Sequence, residues 1–412
     1  GMSVRINSEI GKLKRVVIHS PGREIESMSP DTARSVLYND IIPLSIVAEE
    51  HAQLADFLSL CCETVQVRDL FTEVLRSEEA KGGLLDELER RFPIQGRRDE
   101  LDALRAGDLA EACISGLGKR SETLDTYLSA REFDLFPLPN LYFTRDSGMV
   151  YRDGLITGSM ARGVRSTEAL IMDLIFRYHP LFEKSLRVYD GAHQTDSATH
   201  LEGGDFHVFA EDILLLGISE RTTPGGIDTL VKSIVEVYPE RLTVFAVILP
   251  QERAAIHLDM ICSQIDRGLF MVYEPYILGR NRLRVVRMDI EPGSSPRFTE
   301  EDSLLEGLER AGHPVEPVAC GGKDPVVQQR EQWMSAANLF AFAPGKVIGY
   351  SCNDKSFESL SRKGFSVQRA SVFIDGGASI DDFDRLAVMI DAVELARGGG
   401  GIRCMTMPLE RA

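Results

Sequence analysis

An apolar segment, a tight turn and a second apolar segment recur four times in this chain, and that recurrence constrains the fold more than any other feature. The segments span residues 141–157 about Asp153-Gly154, 205–217 about Glu211-Asp212, 260–276 about Arg267-Gly268, and 338–350 about Pro344-Gly345. Each reads as a β-hairpin, and four related hairpins imply an internal repeat. Helical patterns fall between them. One follows Arg165-Ser166-Thr167, and another opens at Thr223-Pro224, a threonine cap with proline in the first helical position. A third is expected to run from Thr299, in the string Thr-Glu-Glu-Asp, to Gly312. Near the start, a strand over 15–20, apolar Ile46, Leu54, Phe57, Leu58 and Cys61 at helical spacing, and a strand over 64–67 make one strand-helix-strand unit. Strand pairs alternating with helices predict a mixed α/β repeat, not one doubly wound sheet.

Residues 71–135 differ in character. Acidic and basic residues and helix formers dominate there and β-branched residues are scarce, so an all-helical insertion is expected between 1–70 and 136–412, which form the α/β domain. The formal charge is −17, with no clustered basic stretch, which argues against nucleic acid as a partner and suits a cationic small molecule. No apolar run reaches the ~20 residues of a membrane helix, and the expected location is the cytosol. Seven cysteines stand without metal-ligand spacing, as reduced thiols do in a large enzyme.

Three polar clusters sit beside the hairpins: Arg145-Asp146 inside the first leading strand, Glu202-Gly203-Gly204-Asp205 before the second, and His257-Leu258-Asp259 before the third. In a repeat arranged about an axis, such equivalent positions converge. Cys404 lies in Arg397-Gly-Gly-Gly-Gly-Ile-Arg-Cys-Met-Thr-Met-Pro408, where glycines permit close approach and a cation stands adjacent. Cysteine, histidine and several carboxylates admit two chemistries. A peptidase-like acyl transfer has no use for a ring of acids. Attack on the cationic carbon of a guanidinium does, because carboxylates hold it while a thiolate approaches, and a histidine protonates the departing ammonia.

Asn140-Leu-Tyr-Phe-Thr-Arg-Asp146, Leu201-Glu-Gly-Gly-Asp205, Gly217-Ile-Ser-Glu-Arg-Thr-Thr-Pro224, His257-Leu-Asp259 and Arg403-Cys-Met-Thr-Met-Pro408 together resemble the arginine deiminases of the guanidine-modifying superfamily. The likeness begins at Ile6 and spans essentially the whole chain. It implies a five-bladed α/β propeller of ββαβ-type units and hydrolysis of L-arginine to L-citrulline and ammonia. Carried over residue by residue, Cys404 is the nucleophile, His257 the acid and then base, and Glu202 the group orienting His257. Asp146 and Asp259 clamp the guanidinium, and Asn140, Arg165 and Arg221 meet the amino acid end of the substrate. Neither metal nor organic cofactor is implied, and a homo-oligomer is expected. Ser147 replaces the family's usual proline. Gly399 stands near the place of a loop arginine that binds substrate in many members. An agmatine or methylarginine deiminase, an amidinotransferase, and a non-catalytic arginine-binding protein are the competing readings.

Overall fold

Long aliphatic strings such as Leu242–Ile248 and Ile213–Ile218 become strands buried on nearly every residue, as strands flanked on both sides require. The computed structural model describes residues 3–28, 41–94, 96–160, 163–194 and 196–412. One hydrogen-bonding pattern repeats through it: an antiparallel strand pair, then a third strand parallel to the second. Gly148–Tyr151, Gly154–Thr157 and Leu186–Asp190 form one such unit, with helix Ser166–Tyr178 in the crossover. Phe206–Ala210, Ile213–Ile218 and Leu242–Ile248 form the next, crossed by helix Pro224–Val237. Cys262–Asp266, Leu269–Val272 and Glu316–Ala319 follow, then Phe340–Ala343, Lys346–Tyr350 and Leu386–Ile390.

A fifth unit joins the two ends of the chain. Met407–Arg411 runs antiparallel to Leu13–Ile18, which runs parallel to Glu63–Gln66 after helix Leu44–Cys61. That helix buries Val47, Leu54, Phe57 and Leu58 in one apolar cluster with Leu13, Val16 and Ile18, whereas Ile46 lies exposed.

The structure departs from the sequence reading in three places. Residues 297–301 form an edge strand, Arg297–Glu301, paired with Val285–Ile290, because Phe298 and Thr299 favour extended backbone there. Helix Leu304–Arg310 therefore begins later, capped by Ser303, whose Oγ accepts from the Glu306 amide at 3.1 Å. Asp146 precedes the first hairpin instead of lying in its leading strand, since its backbone and side chain are committed to the neighbouring unit. The segment 71–135 is not wholly helical. Helices Glu78–Arg91 and Ala106–Ser115 dominate it, but Leu117–Gly118 pairs with Phe133–Leu135. Its Leu84, Leu88, Leu109 and Cys113 share one apolar cluster with Leu170, Ile171 and Leu174 of helix Ser166–Tyr178. Among the described residues, no helix is long and apolar enough to cross a membrane.

Candidate active site

The segment leading into each unit's hairpin hydrogen-bonds to the corresponding segment of the next unit, and the series closes on itself. The Gly203 amide donates to the Asp146 carbonyl at 3.2 Å, and the Leu258 amide to Asp205 Oδ1 at 2.9 Å. Asn338 Nδ2 donates to the Asp259 carbonyl at 3.1 Å, and the Arg403 amide to Asn338 Oδ1 at 2.9 Å. The Arg145 amide donates to the Cys404 carbonyl at 3.1 Å and completes the ring. Three of these segments are single 3₁₀ turns, Gly203–Asp205, Leu258–Met260 and Arg403–Met405, which swing the side chains before the strand out of the ladder.

This ring brings Cys404, His257, Glu202, Asp146 and Asp259 together, all buried. His257 Nε2 lies 2.9 Å from Glu202 Oε1 and 3.9 Å from Asp146 Oδ1. Gly204 is required beside it, because a Cβ there would sit 2.5 Å from the imidazole. Burial disfavours the imidazolium, but Asp146, the Glu202 hydrogen bond and Asp205 outweigh it and push His257 up to about 9. Glu202 is held well below the usual carboxylate range: burial alone would raise it, and Arg221, whose Nη1 donates to Oε1 at 3.2 Å, and His257 overcome that.

Cys404 Sγ lies 3.9 Å from Asp259 Oδ2 and accepts from Asn338 Nδ2 at 3.3 Å. Burial and then the charges of Asp259 and Asp146 push the thiol well above its ordinary range. Burial also raises Asp259 despite Arg403, whose Nη1 donates to its Oδ2 at 3.0 Å. The other oxygen, Oδ1, is buried with no hydrogen-bond partner among the described residues. A cation placed beside Cys404 would satisfy that oxygen and lower the thiol at the same time.

Asn140, Phe143, Asp146, Arg165, Arg221, His257, Cys404 and the 398–400 glycines line one cavity of about 20 Å³. Gly399 holds φ +100°, a left-handed conformation that an arginine would occupy only under strain. Gly400 lies against the Phe143 ring, 2.4 Å from where a Cβ would stand.

Arg165 is more heavily engaged than its expected contact with substrate suggests. Its Nε and Nη2 donate to Glu168 at 3.0 and 2.8 Å, and Nη1 donates to Asp146 Oδ2 at 2.9 Å. Arg221 keeps a buried Nε without a hydrogen-bond partner among the described residues. Asp146, Glu202 and His257 each offer one ligand atom within 4.8 Å of the others, a spacing a metal ion could use. Arg165 and Arg221 already bring positive charge to these acids, which disfavours a cation with fixed coordination there.

Asn338, Glu9 and Glu168 escaped the sequence reading, and Arg403 entered it only as a cation beside Cys404. Asn338 opens the fourth hairpin at the place equivalent to the acids of the other units, and that register was the available signal.

The raised His257 has a consequence for stability. A folded value of about 9 against an ordinary 6.5 means that its contribution is fully present below pH 6.5 and is lost as pH rises through about 9. The shift corresponds to at most about 3 kcal/mol. Melting curves between pH 6 and 9.5 should therefore fall more steeply for the native chain than for His257→Gln. Parallel curves would refute the assignment.

The arginine deiminase family profile matches residues 34–411. An arginine deiminase of Borrelia garinii subsp. bavariensis is 31% identical, over 99% of this chain and 98% of its own. One of Clostridium perfringens is 32% identical with the same coverage. Similar solved structures include SxtG, an amidinotransferase from Microseira wollei (TM-score 0.53, 14% identity, 99% of this chain and 97% of that one). The N-terminal domain of ArgZ, a cyanobacterial arginine dihydrolase, solved with product, matches at TM-score 0.53 and 12% identity, over 96% and 97%. A dimethylarginine dimethylaminohydrolase adduct with S-methyl-L-thiocitrulline matches at 0.51 and 12%, over 96% and 99%. These likenesses place the α/β fold with those proteins.

Proposed function

The chain belongs to the arginine deiminase family, and from that premise we propose that it hydrolyses L-arginine to L-citrulline and ammonia through a covalent intermediate on Cys404. Cys404, His257 and Asp146 border one cavity and Asp259 lies 3.9 Å from the Cys404 sulfur, and that convergence carries this reading. The substrate guanidinium lies between Asp146 and Asp259, which offer it charge-assisted hydrogen bonds. Its positive charge offsets the two carboxylates that hold the thiol protonated, so Cys404 ionises as the substrate binds and releases its proton to solvent. The thiolate then forms a bond to the central guanidinium carbon.

His257, charged in the free enzyme, gives its proton to one nitrogen, the carbon–nitrogen bond breaks and ammonia leaves. The S-alkylthiouronium remains on Cys404. Neutral His257 takes a proton from water as the hydroxyl adds to the same carbon; the carbon–sulfur bond then breaks, the hydroxyl proton passes to the departing sulfur, and citrulline and the Cys404 thiol result. Glu202 positions the imidazole through its 2.9 Å contact. Arg221, with its unpartnered Nε, is the leading candidate for the substrate carboxylate, and Asn140 and Gly399 border the same cavity. Arg165 positions Asp146 in this structure.

The closed ring of hydrogen bonds and the fivefold repetition of one strand pattern support a five-bladed propeller with the site on its axis. The segment 71–135 is then an insertion between the first two blades. The deciding assay offers purified protein L-arginine, agmatine and dimethylarginine separately, with and without an amine acceptor. Citrulline and ammonia in equal amounts from L-arginine, with agmatine poorer by at least ~10²-fold for want of a carboxylate, is the expected result. Preference for agmatine or for amidino transfer would overturn it.

A further inference from the structure

Behind Cys404, the strands that form the ring close over a second, smaller cavity bordered by Glu9, Arg145, Met149, Phe206, Met407 and Arg411. Its volume is about 10 Å³, room for one body the size of a water molecule. Two of its guanidiniums are buried without a carboxylate within 4 Å among the described residues. Arg411 Nη1 donates to the carbonyls of Gly11 and Ala341 at 2.9 and 2.8 Å. Arg145 Nε donates to the Arg403 carbonyl at 3.3 Å, and its Nη2 has no hydrogen-bond partner. Both cations lie near the Phe340 ring, 6.0 and 5.2 Å from its centroid.

The surroundings do not balance this charge. Arg403 is paired with Glu9 and Asp259. Glu9 spends one oxygen on Arg403 and the other on the Val208 amide. His207 adds no charge, because burial and Arg403 hold it well below its ordinary value. Three guanidiniums thus face two carboxylates, and the cluster carries one net positive charge on side chains that are all buried. An unpaired buried charge is costly, and a single monovalent anion would neutralise this one.

We propose that this cavity is a binding site for a monatomic anion, a halide, held by Arg145 and Arg411. A space of this size suits a monatomic anion better than phosphate, sulfate or a carboxylate. Glu9 borders the same space and opposes the anion. The site consequently depends on Arg403 keeping Glu9 paired. The site reaches the catalytic loop through Arg145, whose amide and Nε bind the carbonyls of Cys404 and Arg403. Arg145 and Arg411 are therefore positioning residues, and the halide supports the loop that presents the thiol.

Two measurements on the intact protein test the site independently of catalysis. Replacing sodium gluconate stepwise by sodium chloride or bromide at constant ionic strength should raise Tm by ~3 °C at saturation, with a hyperbolic dependence. Arg411→Met should abolish that dependence. Crystals soaked in bromide should give an anomalous peak in contact with the guanidiniums of Arg145 and Arg411. Should Arg411→Met fail to fold, the bromide peak and the native titration still decide. A flat titration, or bromide found on the surface alone as an adventitious ion only, overturns the proposal.

Discussion

Replacing Cys404 with alanine is expected to lower citrulline formation at least ~10⁴-fold while leaving the melting temperature within a few degrees of the native value. The size of the loss follows from chemistry: no other side chain at the cavity can form the covalent bond, and water cannot attack a delocalised guanidinium carbon without it. The small effect on stability follows from the surroundings. The thiol is buried between Asp259 and Asp146, so its ionisation stabilises nothing in the free protein, and only one sulfur atom is removed. Cys404→Ser should be nearly as inactive, because a hydroxyl beside two carboxylates ionises less readily than a thiol. Rapid acid quenching of the native enzyme with L-arginine should trap a mass increment equal to the substrate less ammonia, absent from either variant. Citrulline production by Cys404→Ala above one part in a hundred of the native rate would remove the covalent mechanism.

The hairpins were readable because turn residues punctuate aliphatic strings, and the polar clusters because each is contiguous. His257 and Asp259 are two residues apart, and Glu202 and Asp205 share one short string. What escaped is non-local. The fifth unit pairs Leu13–Ile18 with Met407–Arg411, and no window of sequence contains both. Arg403 was visible as a cation beside Cys404, but its partners Glu9 and Asp259 lie 394 and 144 positions away. Asn338 is a lone amide whose role exists only because its side chain joins the Asp259 carbonyl to the Arg403 amide. Glu168 reads as an ordinary first-turn acid of a helix, yet it binds two nitrogens of Arg165 and ties that arginine to the protein. Even the misplaced helix start at Thr299 has a local reason, since Ser303 offers the same capping chemistry four residues later, with Glu306 at the position that donates to it.

Arg403→Met should be the most destabilising single change in the site, by about 3–5 kcal/mol, although methionine fills much of the same volume. Arg403 is the largest of the fully buried side chains, and its guanidinium serves two carboxylates and two carbonyls. It bonds Glu9 Oε1 at 3.1 Å, Asp259 Oδ2 at 3.0 Å, and the carbonyls of Gly203 and Phe206 at 3.4 and 2.7 Å. Without it, both acids remain buried and lose their closest cation. The pH dependence separates this loss from simple mispacking. In the native chain Glu9 sits at about 2, because burial would raise it and the cations around it, Arg403 first among them, together more than reverse that. Its stabilising contribution is therefore present above its ordinary pKa of 4.5 and lost as pH falls toward 2. In the variant both acids should titrate higher than in the native chain, so protonation relieves more of the strain as the solution is acidified. Melting temperatures of the two proteins should consequently differ most near pH 8 and converge as pH falls toward 5. A constant gap across that range would mean that Arg403 acts through its volume and not through its charge.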